Sequence, residues 1–541
     1  MKKKRLLIPI LAIGIFITTT SYKSDFFAIA KQIEIFTSLF KELNMNYVDE
    51  TNPADLMDTA ITAMLNDLDP YTKFWNEQEV EAARIQNSGE YTGIGASIKT
   101  RDHKITIIQA YKDYPADKAG LKAGDEITKI GDVEVADFDD DAGELLKGSP
   151  GTAVQLTYLR QGEKKTTTLK REAVSLKAVP FYKLINGDIG YIVLSKFNRK
   201  ASAETAKALQ KLKKEGATKI ILDLRNNPGG LLSEAVNVTN IFVNKDETIV
   251  TTKSVIKKYN QTYKTKKDAI DTQIPLAVLI NGKSASASEI VSGSLQDLDR
   301  AVIIGARSFG KGLVQRPKKL TYGTQAKITI SRYYTPSGRC IQALDYWHRD
   351  KNGKAVRTKA EDYNEFSTRN GRKVYDGGGI APDISLKTSE YSGITNALLE
   401  QDAIFDYATQ YYYSHSLEQP NNFNFSAADY NEFKKFLQKI DFEYKTQTEK
   451  ELQNALSSAK KEGFNQAIQK QYSNLQKALK TAKEEALDEK QEEITHLITS
   501  EIIPRYFYEN GLYNYYIENN PELLEAQRIL NNSKKYKSIL N

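Results

Sequence analysis

Cysteine and histidine are the scarce residues of this 541-residue sequence. Cys340 is the only cysteine, so neither an intramolecular disulfide nor a cysteine-based zinc site can form within one chain. Histidine occurs four times, as His103, His348, His415 and His496, and none lies in a Gly/Ser-rich loop beside an expected strand end. No H-E-x-x-H occurs, so the sequence implies no metal site and no cofactor. Charge of one sign is also scarce. The 76 basic and 69 acidic residues leave a net charge of +7, with no basic run inside an aromatic patch. Nucleic-acid binding is therefore not expected.

Long apolar runs are absent too. The longest opens the chain at residues 6–20, behind the basic flank Lys2-Lys3-Lys4-Arg5. It falls short of the ~20 residues of a membrane span. A basic flank before a short apolar segment marks a secretory signal. An uncleaved anchor through residues 6–20 remains the alternative, and residues 1–22 are assigned to one or the other. Either reading places the remainder outside the cytoplasm, in the periplasm or cell envelope. What remains is 27% charged and 40% hydrophobic, ordinary for globular protein and long enough for about three or four domains.

Four regions follow. Residues 23–88 carry helical periodicity, with apolar residues recurring at three and four. Residues 89–173 hold short β-type stretches between turn-rich pieces such as 119-AGLKAGD-125. Residues 174–389 alternate apolar strands with helices, which implies parallel βαβ units with ligand sites at the strands' C-terminal ends. Residues 390–541 are helical and polar, with charge runs suited to a solvated face or to an oligomer or adaptor surface.

The chemistry concentrates in 281-NGKSASASEI-290 and 307-RSFGKGLVQ-315. Ser286 is expected where a strand gives way to a helix, whose N-terminal amides could stabilise an oxyanion. The same Ser286-x-x-Glu289 spacing is a capping box, which competes as a purely structural reading. Lys311 lies between two glycines. Without a suitable histidine, a lysine desolvated by Phe309, Leu313 and Val314 could deprotonate the serine, with Gln315 orienting it. A surface lysine and an exposed glutamine are the plainer readings. In 223-DLRNNPGG-230, Gly229 and Gly230 could supply one oxyanion donor and the Ala287 N–H the other. The 91-YTGIGASI-98 turn could present amides to a peptide's terminal carboxylate, beside a strand edge that pairs with its backbone.

These segments together resemble the carboxyl-terminal processing, or tail-specific, proteases of peptidase family S41. The resemblance rests on 223-DLRNNPGG-230, 284-SASASEI-290, 309-FGKGLVQ-315 and 377-GGGIAPDI-384, in the family's order and spacing. It implies an α/β ClpP/crotonase-like protease core (174–389) with an inserted mostly-β PDZ domain (89–173), flanked by helical regions at 23–88 and 390–541. It implies Ser286 as nucleophile, Lys311 as base, Gln315 as its orienting partner, and backbone oxyanion donors at Gly229 or Gly230 and at Ala287. Gly93, Ile94, Gly95 and Ala96 match the PDZ carboxylate-binding loop. Protein substrates with free C-terminal tails are the implied partners. A non-catalytic PDZ scaffold is the alternative, and the intact Ser286, Lys311 and Gln315 speak against it. Where the family often has LDPHS, this chain has 68-LDPYT-72.

Overall fold

A computed structural model describes residues 7–101, 103–138, 141–351, 353–386, 391–421 and 423–541, with side chains from residue 26 onward apart from that of Asn465. The basic flank expected at 2–5 lies outside the described residues. Among the described residues no helix is long and apolar enough to cross a membrane. Two units divide the chain: residues up to 77 together with 315–329, and residues 78–314 together with 330–541.

The larger unit is organised by a six-stranded sheet. Its order is Phe181–Ile185, Ile189–Val193, Lys219–Asp223, Leu276–Ile280, Val302–Gly305 and Ile384–Ser385. The first pair is antiparallel and the remaining pairs are parallel. Every residue of 189–193 and 276–280 is buried. Such strands need cover on both faces, because successive side chains point to opposite sides. Ile192, Ile220, Leu222, Val278 and Ile303 face helices Ala201–Lys214, Leu232–Asn240 and Ala287–Asp297. Tyr191, Val193, Ile221, Leu279 and Ile304 face the other way, against Leu523, Ala526, Ile529 and Tyr536. The second cover thus comes from helices Pro521–Leu530 and Ser533–Leu540 at the chain's far end, a role the sequence left unassigned.

The β module is an antiparallel sheet in the order 96–101, 104–110, 126–130, 153–160 and 163–170. It encloses its own core of Ile105, Ile107, Leu121, Ile127 and Leu156. Strand Ala96–Arg101 is at the sheet's edge, so one row of its backbone groups is left without a strand partner. The turn 119–125 is pinned by the fully buried Asp125, which accepts two hydrogen bonds from Arg160 at 2.8 and 2.6 Å. Residues 393–508 build a further helical core around Ile404, Tyr407, Phe433, Ile498 and Ile502.

The smaller unit holds helices Leu7–Asn46 and Pro53–Asn66; the first begins within the segment assigned to a signal or anchor, and the region expected to be helical also contributes strand Lys73–Trp75, paired with 325–327. Asn52 caps the second helix, its side chain accepting from the Ala54 N–H at 3.0 Å, with Pro53 at the first helical position.

Candidate active site

Strand 276–280 ends at a turn that delivers Ser286 to the head of helix Ala287–Asp297. Ser284 fixes this turn. Its hydroxyl donates to the Leu224 carbonyl at 2.8 Å and accepts from the Asn281 N–H at 2.9 Å. Ser286 itself has φ 55° and ψ −110°, outside the regions a serine normally occupies. A strained residue on a strand-to-helix turn, half-exposed above a fully buried helix, lifts its side chain clear of the main chain.

What holds this strain is a carboxylate the sequence offered only as a helix cap. Glu289 is fully buried, and its two oxygens accept four donors. Oε2 accepts the backbone N–H of Ser286 at 2.8 Å and that of Lys311 at 2.9 Å. Oε1 accepts the Gly310 N–H at 2.7 Å and the Ser308 hydroxyl at 2.6 Å. One oxygen therefore ties the main chain of Ser286 to that of Lys311, although 25 residues separate them in sequence. Burial pushes the Glu289 carboxyl up to about 7, against the pull of those four hydrogen bonds. The Glu289 half of the expected capping box is present, its Oε2 accepting the Ser286 N–H. Around the lysine, Gly312 and Leu313 are buried, whereas the Phe309 ring, expected as an apolar wall, is 43% exposed.

The turn 225–230 packs directly on the serine. A Cβ at Gly229 (φ +97°) would lie 2.6 Å from the Ala285 carbonyl oxygen and 3.0 Å from Ser286 Cβ, so only glycine fits. Asn227, fully buried and not singled out in the sequence, organises the contact. Its amide donates to the Leu194 carbonyl at 2.7 Å, and its Oδ1 accepts the Gly229 N–H at 2.9 Å. Its main-chain carbonyl accepts from the Ala285 N–H and the Ser288 hydroxyl. The Gly229 N–H is thereby engaged. Those of Gly230 and Ala287 make no hydrogen bond among the described residues. Arg225 anchors the turn from below, donating to Asp223 and, at 2.6 Å, to Asn520 Oδ1 at the head of helix 521–530.

Gln315 belongs to the smaller unit, four residues along the chain from Lys311. Its amide donates to Thr329 Oγ1 at 3.3 Å, and the Thr329 N–H donates to Thr72 Oγ1 at 3.1 Å. Thr72 and Tyr71 in turn donate to the buried Asp69. The 68-LDPYT-72 turn thus holds Thr329, the residue that accepts from Gln315, through Asp69 and Thr72, and the departure at Tyr71 leaves those contacts in place.

In the β module, residues 93–96 join strand Glu90–Gly93 to the edge strand. Two carbonyls of this loop are turned inward. Ile94 accepts from the Ala116 N–H at 2.7 Å and Gly95 from the Tyr111 N–H at 2.8 Å.

Three sequence profiles match the chain: "Peptidase family S41" at residues 188–346, "PDZ domain" at 92–170 and "Probable PDZ-protease, C-terminal helical domain" at 394–530. A carboxy-terminal-processing protease of Bartonella bacilliformis is 36% identical over 335 residues, covering 61% of this chain and 76% of that one. A probable CtpA-like serine protease of Staphylococcus haemolyticus is 36% identical over 317 residues, 58% of this chain and 63% of its own length. The match therefore spans less than two thirds of that relative. Among solved structures, the photosystem II D1 C-terminal processing protease is 27% identical with a TM-score of 0.37, covering 64% of this chain and 86% of its own. A family profile over the sheet that carries Ser286, a PDZ profile over the β module and the Bartonella relative agree: this chain belongs to peptidase family S41.

Proposed function

We propose that the protein is an exported serine endopeptidase that reads the free C-terminal tail of a protein substrate and cuts near it. Ser286 attacks the scissile carbonyl, and Lys311 takes its proton and returns it to the leaving amine. The resulting acyl-enzyme is hydrolysed by water. Backbone amides of Ala287 and of the Gly229-Gly230 turn hold the oxyanion, and the unengaged Gly230 N–H is the better placed of the two glycines. Gln315 orients the lysine, and the PDZ loop at Gly93, Ile94, Gly95 and Ala96 takes the tail's carboxylate while the edge strand 96–101 pairs with its backbone.

The observation that carries this reading is the single Glu289 oxygen that binds the main chains of Ser286 and Lys311. A non-catalytic scaffold has no use for a buried carboxylate spent on joining those two residues. The test uses an unfolded protein with an apolar free C-terminus and the same protein amidated there. Cleavage of the free-tailed form, abolished in Ser286→Ala and in Lys311→Ala, is the expected result. Cleavage that survives Lys311→Ala refutes the dyad.

A further inference from the structure

The helices of the smaller unit have no core to sit on. Helix Leu7–Asn46 is 40 residues long, and from residue 26 to 46 none of its side chains is buried. Helix Pro53–Asn66 has no buried residue either. Yet the first helix is not polar. Phe26, Ile29, Ile33, Phe36, Phe40 and Leu43 follow one another at alternating steps of three and four residues. That is the a and d spacing of a heptad, and it draws one continuous stripe down a helix. Phe40 is half-buried, its ring stacked on that of Phe36 at 6.3 Å. The other five are exposed, from 72% at Phe26 to 41% at Leu43. The charges of this stretch keep off the stripe. Lys31, Glu34, Lys41 and Glu42 all fall at the outer positions b, c and f, and no flanking e or g position carries a charge. Contiguous exposed apolar surface of this kind marks an interaction site.

We propose that this stripe pairs with the same stripe of a second copy of the chain, as a parallel two-stranded coiled coil over residues 26–43. Three features choose a second copy over a lipid surface. The mean spacing of about 3.5 residues is what two supercoiled helices need, whereas a lipid surface asks only for a broad apolar face backed by basic residues. The two lysines and two glutamates of the stretch cancel, so nothing draws the helix to anionic headgroups. The six side chains offer roughly 600 Å² per copy, close to the ~800 Å² per partner of a standard interface. The uncharged e and g positions also set no like charges across the seam when a helix meets its own copy. Direction follows from continuity. The helix runs unbroken out of the apolar segment 6–20, and antiparallel pairing would carry the two apolar segments off opposite ends of the pair. Parallel pairing sets them side by side.

The experiment uses the full chain in intact cells, with Cys340→Ser removing its only cysteine. Single cysteines are then introduced by Ile33→Cys and Phe36→Cys on the stripe and by Ser38→Cys at position f, and copper phenanthroline drives their oxidation. A disulfide needs Cα atoms within about 7 Å, which a parallel pair supplies at a and d but not at f. The expected result is a product of twice the chain's mass, at least about tenfold stronger from each stripe position than from Ser38→Cys. Equal yields at all three positions, or no product at any, overturn the proposal. So does a stripe covered by lipid, which is read as stripe thiols that neither cross-link nor react with an aqueous maleimide while the thiol of Ser38→Cys reacts.

Discussion

The two faces of the central sheet are covered by different kinds of chain. One face is closed by helices 201–214, 232–240 and 287–297, each following directly on the strand before it. The other is closed by helices 521–530 and 533–540, more than a hundred residues beyond the last strand. The first cover is local and carries the serine. The second is remote and carries none of the proposed catalytic residues, yet Asn520 and Glu522 at its head hold Arg225 of the 225–230 turn. The lesson is that the turn at 225–230 is held by residues far along the chain from it. Its position depends on the sheet being closed from both sides.

The comparison can be broken most severely by ending the chain at residue 519. That bares Tyr191, Val193, Ile221, Leu279 and Ile304. A patch of this kind drives aggregation, so the expected product is insoluble and inactive. Soluble, active truncated protein would show that the second cover is an ornament. On the first face, Asp297 at the end of the serine's helix pairs with Arg339, which is 1% exposed, at 2.7 Å. Asp297→Ala leaves that guanidinium buried without its counter-ion and should cost about 3–5 kcal/mol, read from urea unfolding.

A matched pair then tests whether the faces are equal. Leu209→Ala on the first and Leu523→Ala on the second remove fully buried side chains. Each should cost about 2–5 kcal/mol. A cost near zero for Leu523→Ala alone would make the remote cover dispensable.

Glu289→Gln sharpens the comparison at the site. It replaces one carboxylate oxygen, each of which serves two donors, by an NH₂ group that cannot accept. The Ser286 loop should loosen, lowering kcat by about 100-fold. The parent should also lose activity as pH falls below about 7, where this carboxyl takes up a proton and gives up an acceptor. Stability should run the other way. The folded value lies above the ordinary 4.5, so folding is favoured below 4.5 and that advantage is lost as pH rises through about 7. Urea midpoints at pH 5 and 8 should differ in the parent and converge in Glu289→Gln. The smallest effect is expected from Asn520→Ala, which removes the cap of helix 521–530, whose Oδ1 accepts the Leu523 N–H at 3.0 Å. A loss of about 1 kcal/mol follows from the cap, with a further fall in kcat if Arg225 shifts.

Much of the site was legible in the chain. Ser286, Lys311 and the 225–230 turn could be placed because each lies where an apolar strand meets small or turn-forming residues, and that pattern is local. The helices at 201–214, 232–240 and 287–297 were legible for the same reason. Strand 163–170 was missed because its sequence, EKKTTTLK, is polar along most of its length and pairs at the module's rim. Asn227 and Glu289 were missed as organisers because a buried polar residue looks in sequence like any surface one. Their roles come from partners well along the chain: Leu194 and Ala285 for Asn227, and the 308–311 loop for Glu289.

By itself, the sequence determined the order of the regions and the places of the Ser286, Lys311 and 225–230 segments. These follow from composition, short-range periodicity and motif spacing, each a property of neighbouring residues. Tertiary structure alone decided that one carboxylate oxygen joins Ser286 to Lys311, that residues 521–540 close the sheet, and that the Tyr91 ring packs on Gly93. Each of these is a contact made as apolar surface is buried and the polar groups carried in with it must find partners, and such partners are set by the fold and not by distance along the chain.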